Sequence, residues 1–273
     1  MKIGTRLRTL AAAVLGVAAL GLGLGLGPAA ASATPATPDD RAARPTVVLV
    51  HGAFADASGW DGVIGNLRRA GYPVLAVANP LRGLAADSAY LRSVVDAVPG
   101  PVVLVGHSYG GALITNAATG APNVRALVYV AAFAPDRGET LNQFSARYPS
   151  QVNPENLVVH PYPGGAEASI NPARFHEIFA ADLSRSDAAN MAARQRPVAV
   201  ASFDEPTGEP AWKTVPSWYV RYSQDRALST DAQRFFADRI GAHTVEIRAS
   251  HAGFVSQADR TAQVIESAAR ATR

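Results

Sequence analysis

The sequence predicts an α/β fold: about six mostly parallel strands in a doubly wound sheet, with a helical cap inserted after the fourth strand. Three observations carry this reading. Short Val-rich runs, almost free of charge, recur along the chain, as strands buried on both faces require. Segments with helical spacing separate them. One long stretch, residues 135–214, breaks the alternation and is too long for a plain loop. A chain of 273 residues, 48% of them hydrophobic, has core enough for one such domain over residues 46–273.

The predicted strands, in order, are 46–50, 73–79, 101–107, 126–133, 216–223 and 244–248. The predicted helices span 61–70, 87–98, 110–118 and 231–240, with a last one from about 257 to the end. Asp61, Asp87 and Asp231 suit N-caps or first helical turns. Within 135–214, turns surround Pro149, and helical patterns cover 171–183 and 187–194. Such a segment above the strand ends would close an apolar pocket.

The N-terminus has a different character. Lys2, Arg6 and Arg8 precede an apolar run from Leu10 to Gly27, and Ala31-Ser32-Ala33 offers a small-residue cleavage site. Gly21, Gly23, Gly25 and Gly27 weaken a long helix, which favours a removable leader over residues 1–33 rather than a membrane anchor. Secretion to the extracellular space is therefore expected. Residues 34–45, rich in Pro, Ala and Thr, are expected to form a flexible linker. Removing the leader's three basic residues from the chain's 25 leaves 22, against 22 acidic residues. The remainder thus has no net charge to draw it to nucleic acid. No stable membrane partner is expected after processing, and the sequence leaves the oligomeric state open.

With no cysteine, thiol nucleophiles and Cys-ligated metals are excluded. The six histidines show no metal-binding spacing, so neither a metal nor a cofactor is expected.

The chemistry centres on Gly106-His107-Ser108-Tyr109-Gly110, which joins a predicted strand to a predicted helix. A sharp turn there would lift Ser108 to its tip, with small residues two before and two after letting backbones pass. A serine nucleophile needs a base, and the base needs an orienting acid. Reactive groups in an open parallel sheet gather at the strands' carboxyl ends. His251 follows the last strand at that end, whereas His243 precedes it and His160 and His176 fall in the cap. Asp225 follows the fifth strand; Asp136, after the fourth, is the runner-up. For an oxyanion, backbone N–H groups are expected from Tyr109 and Ala53, with Phe54 as second choice. Gly52 is expected to allow close approach and an unusual φ. Phe54 and Trp60 are the expected substrate-pocket residues. His107 and His51 read as packing and loop-bracing residues.

Over about residues 46–270 these segments resemble the α/β-hydrolase superfamily, in its esterase and hydroxynitrile-lyase-like branch. The resemblance rests on Val47 to Phe54 with Trp60, Val105 to Gly111, Asp225-Arg226-Ala227 and Ser250-His251-Ala252. The cap segment Arg174 to Asp182 looks like that of actinobacterial, secreted members. The resemblance implies an α/β-hydrolase fold, a serine nucleophile in a Ser-His-Asp catalytic triad, no cofactor, and a small-molecule carboxylic ester as substrate. Perhydrolase, cofactor-free haloperoxidase or lactonase activity with the same triad is the alternative. A non-catalytic small-molecule binding protein on the same fold is the alternative of another class. Hydroxynitrile lyases of this branch carry a lysine directly after the triad histidine; here Ala252 stands there, which argues for hydrolysis over cyanide release.

Overall fold

The computed structural model describes residues 44–272. The expected leader and residues 34–43 of the expected linker lie outside them. Arg44 already belongs to the fold: its guanidinium donates to Ala70 O and lies over the Tyr72 ring. The expected linker therefore runs into the folded domain at its C-terminal end.

The elements in chain order are β1 (Thr46–Val50), α1 (Asp61–Arg69), β2 (Val74–Val77), α2 (Leu84–Asp96), β3 (Val102–His107), α3 (Tyr109–Ala117) and β4 (Val124–Val130). After these come α4 (Leu141–Arg147), β5 (Leu157–Tyr162), β6 (Gly165–Ile170), α5 (Pro172–Phe179), α6 (Arg185–Ala193) and β7 (Val198–Ala199). The chain closes with β8 (Ser217–Tyr222), α7 (Thr230–Arg239), β9 (His243–Ile247), α8 (Gly253–Ser256) and α9 (Ala258–Ala271).

Six strands form one sheet in the order β2-β1-β3-β4-β8-β9, every pair parallel. Successive side chains point to opposite faces, so two cores form. Val47, Leu49, Val103 and Val105 pack with Leu67 of α1 and Ile265 of α9. Val48, Val50 and Leu104 pack with Leu91 of α2, Leu113 of α3 and Phe236 of α7. Both faces being covered, the strands read as continuous apolar runs. The chain passes from β1 outward to β2, then back across to β3. That reversal opens a crevice at the carboxyl ends of β1 and β3.

The stretch between β4 and β8 departs from the helical cap that the sequence predicts. It holds α4, α5 and α6 and also a three-stranded sheet in the order β5-β6-β7, with antiparallel pairs. The run Leu157-Val158-Val159-His160-Pro161-Tyr162 has the β-branched content of a strand. Gly164, at φ 97°, supplies the left-handed turn into β6. A two-faced strand on the surface lacks the uniform hydrophobicity that marked the buried ones.

Candidate active site

The β3–α3 turn is set by steric demand. A Cβ on Gly106 would lie 2.4 Å from Gly110 O, and one on Gly110 would lie 2.7 Å from Val50 O. Only glycine lets strand, helix and β1 approach so closely. Between them Ser108 adopts φ 52°, ψ −122°, a conformation non-glycine residues rarely hold. Its N–H bonds Val130 O at 3.2 Å, and its carbonyl accepts from Gly111 and Phe133 N–H at 2.9 and 3.2 Å. The surrounding backbone thus over-determines the strain. Ser108 stands at the N-cap of α3, yet its hydroxyl makes no capping bond and is left for the crevice.

His251 lies in the loop after β9 and Asp225 in the loop after β8, both buried. His251 Nδ1–H donates to Asp225 Oδ2 at 2.6 Å. That bond selects the tautomer whose Nε2 is an acceptor. Ser108 and His251 line the same narrow cleft. The Asp225 carboxylate is held on all sides: Oδ1 accepts from Ala227 and Leu228 N–H at 2.8 and 2.9 Å, and Oδ2 also accepts from Gln233 Nε2 at 2.8 Å. A surface pairing of Asp225 with Arg226 does not form; Arg226 reaches Glu177 instead, at 3.3 Å. Asp136 is remote from this group and pairs with Lys213 at 2.6 Å.

The β1–α1 loop faces Ser108. Gly52 makes the close approach the sequence suggested, since a Cβ there would sit 2.7 Å from Ser108 Cβ. The unusual φ falls elsewhere: Phe54, not Gly52, takes φ 63°. Phe54 N–H is used by Arg196 O at 3.2 Å, whereas Ala53 N–H has no hydrogen-bond partner among the described residues. Tyr109 N–H heads α3, where the helix leaves its first amides unpaired.

His51 and His107 are structural neighbours of the site. His51 Nε2 accepts from Asn79 N–H at 3.0 Å while Nδ1–H donates to Gly52 O at 2.9 Å, bracing the loop. Burial, above all, lowers its pKa. His107 is fully buried and packs against Phe254 and His251, at ring distances of 4.3 and 4.5 Å. Its Nε2–H donates to His251 O at 3.0 Å. Burial holds it well below the ordinary histidine value, so the ring is neutral.

Phe54 lines the cleft, but the expectation for Trp60 is corrected. Trp60 has no exposed surface and packs under the sheet against Phe254, 4.7 Å between rings. The loop carries it past the crevice to the opposite core. The cleft opens past Phe54, Val152 and Phe203 into a larger chamber of about 480 Å³, roofed by Leu157, Val159 and Ala168 of the hairpin. Among the described residues, His251 and the Tyr148 phenol are the titratable side chains that line these spaces, and no Asp, Glu, Lys or Arg does.

Two residues at the site escaped the sequence reading. Gln233 holds Asp225 and, through Oε1, Tyr222 N–H at 2.9 Å. A polar residue on the buried face of α7, beside Ala232, Phe236 and Ala237, was the available signal. Asp87, buried at the start of α2, accepts from the Tyr109 hydroxyl at 3.0 Å and from Arg82 N–H at 3.1 Å. Burial raises its pKa.

Comparison with known proteins agrees with this architecture. The profile of the alpha/beta hydrolase family matches residues 47–264, and the chain belongs to that family. A carbendazim hydrolyzing esterase of Nocardioides sp. (strain SG-4G) is 36% identical over 121 residues, 40% of this chain and 49% of that protein. The chain thus spans about half the length of that relative. A probable hydrolase R7 of Phoma sp. is 26% identical over 243 residues, covering 81% of this chain and 97% of its own length. The crystal structure of polyneuridine aldehyde esterase superposes with a TM-score of 0.72 at 23% identity, covering 82% of this chain and 98% of the other. At that identity the likeness speaks for the fold.

Proposed function

We propose that the chain is a serine hydrolase that cleaves a small, neutral carboxylic ester through an acyl-enzyme on Ser108. The observation that carries this is the 2.6 Å bond from His251 to a fully hydrogen-bonded Asp225, with His251 and a strained Ser108 in one cleft. Relatives named as esterase and hydrolase support the same chemistry.

In this reading His251 Nε2 takes the Ser108 proton as Oγ attacks the ester carbonyl carbon. Asp225 keeps the tautomer and stabilises the imidazolium. The Ala53 and Tyr109 N–H groups receive the oxyanion; Ala53 is preferred to Phe54 because the latter's N–H is already occupied. Each such donor contributes roughly 3–4 kcal/mol in the transition state. Collapse expels the alkoxide, which takes the proton from His251. Water, deprotonated by His251, then releases the acid and restores Ser108. The uncharged walls of cleft and chamber favour a neutral substrate and offer no Lys or Arg to hold departing cyanide. The segment between β4 and β8 acts as the cap that sets substrate range, and the leader directs secretion.

A fluorophosphonate should label wild-type protein at one residue, and Ser108→Ala should abolish both labelling and hydrolysis of p-nitrophenyl esters. Activity of the purified variant near the wild-type level refutes the assignment. Secretion is checked by intact mass: protein from the medium should begin near residue 34.

A further inference from the structure

The loop carrying His251 is gripped from the inserted segment as well as from the sheet. On the sheet side, Gln224 N–H bonds Ala249 O at 3.0 Å and His107 bonds His251 O. From the insert, residues at and just after the end of α5 hold both flanks of the histidine. Ala252 N–H donates to Phe179 O at 2.8 Å. The Asp182 carboxylate accepts from Ser250 N–H at 3.1 Å, from the Ser250 hydroxyl, and from the Ser256 hydroxyl at 2.6 Å. The Phe179 ring meets the His251 ring edge-on, 4.8 Å between centroids.

Asp182 therefore ties Ser250, one residue before the histidine, to Ser256 on α8, five residues after it. It lines neither the cleft nor the chamber, and its side chain is exposed. Hydrogen bonds to a carboxylate are short and stronger than neutral ones. Catalytic groups must be held within about 0.5 Å of the productive geometry, and Asp182 supplies the charged partner for the backbone flanks of His251, whose other hydrogen bonds there, to Phe179 O and from His107, are neutral.

We propose that Asp182 is a positioning residue: it clasps the loop after β9 so that His251 stays aligned on Ser108. Seating of the insert and alignment of the base are then one event. The proposal rests on the reading of Ser108 and His251 given above, and its test separates the two.

The test measures fluorophosphonate labelling of wild type, Asp182→Ala, and Glu177→Ala as a control. Glu177 also joins the insert to the core, through Arg226, but grips no flank of the histidine. Asp182→Ala should label about tenfold more slowly yet reach the same final labelled fraction. Its kcat on esters should fall by a similar factor, with KM within twofold. Glu177→Ala should stay within twofold throughout. A wild-type labelling rate in Asp182→Ala overturns the proposal. So does a loss confined to the final labelled fraction, which marks misfolding alone. A second readout needs no turnover: the far-downfield NMR proton of His251 Nδ1–H, identified by its loss in Asp225→Ala. It should broaden or shift in Asp182→Ala, and an unchanged resonance refutes the clasp. If wild type is not labelled at all, the hydrolase reading fails while this resonance still decides the clasp.

Discussion

Strand β3 is buried from Val102 to His107, whereas in the hairpin of the insert Val158 and Val159 of β5 stand 46% and 57% exposed. Between those two regions lies the crevice. The sheet holds Ser108 and Asp225 by closely constrained backbone: glycines with no room for a Cβ, parallel ladders on both sides, and a carboxylate with every lone pair engaged. The hairpin presents apolar side chains to a partly open chamber and is pinned by fewer contacts. Under the proposed function, the contrast teaches that one region sets which atoms react and the other which molecules arrive. The boundary is not clean, however, because Phe179 and Asp182 of the insert reach the base loop.

The contrast breaks most severely on the sheet side. Asp225→Asn should keep the fold but present the wrong histidine tautomer, lowering kcat by about 10⁴. Steady-state kinetics with a p-nitrophenyl ester tests this, and a loss under tenfold would mean that Asp225 does not orient the base.

On the insert side the expected effect is smaller and of another kind. Val159→Glu places a charge in the chamber wall at an already exposed position. KM for long apolar esters should rise about tenfold, roughly the 1–3 kcal/mol that one pocket contact is worth. Labelling by a small fluorophosphonate should be unchanged. Equal effects on short and long esters would show that the chamber is not used.

The smallest effect concerns stability alone and sharpens the picture of a rigid sheet. His107 is buried neutral, with its pKa held below the ordinary 6.5. Below pH 6.5 the unfolded chain binds a proton there that the folded one refuses, so stability is full above that pH and falls as pH drops. The slope from this group is at most about 1.4 kcal/mol per pH unit. His107→Gln should be less stable at pH 7.5 but lose less on acidification to pH 5, as read from urea unfolding midpoints. Parallel pH curves for the two proteins would contradict a neutral His107.

Much of the sheet could be read from the chain. The runs before His51, Ser108, Asp225 and His251 lie within a few residues of observed strands because buried parallel strands have a composition of their own. Helix α2 begins at Leu84, three residues before the expected Asp87, because Asp87 is used as a buried acceptor inside the helix and not as its cap. The hairpin was missed because β5 is mixed in character and its strength lies in pairing with β6. Trp60 was misplaced because a large aromatic close to an oxyanion loop has no local mark of which sheet face it enters.

The sequence by itself determined the order of strands in the main sheet, the helices between them, and the serine at a glycine-flanked strand–helix turn, because periodicity and the steric needs of a tight turn are local properties. Only the tertiary structure decided that Ala53, rather than Phe54, keeps an unpaired N–H, that Gln233 completes the shell around Asp225, and that Asp182 grips the loop of His251. The first and last turn on partners far apart in the chain, Phe54 N–H with Arg196 O and Asp182 with Ser250, and the second on how α7 seats against the loop after β8. Packing of the whole domain, not any short stretch of residues, brings them within hydrogen-bonding distance.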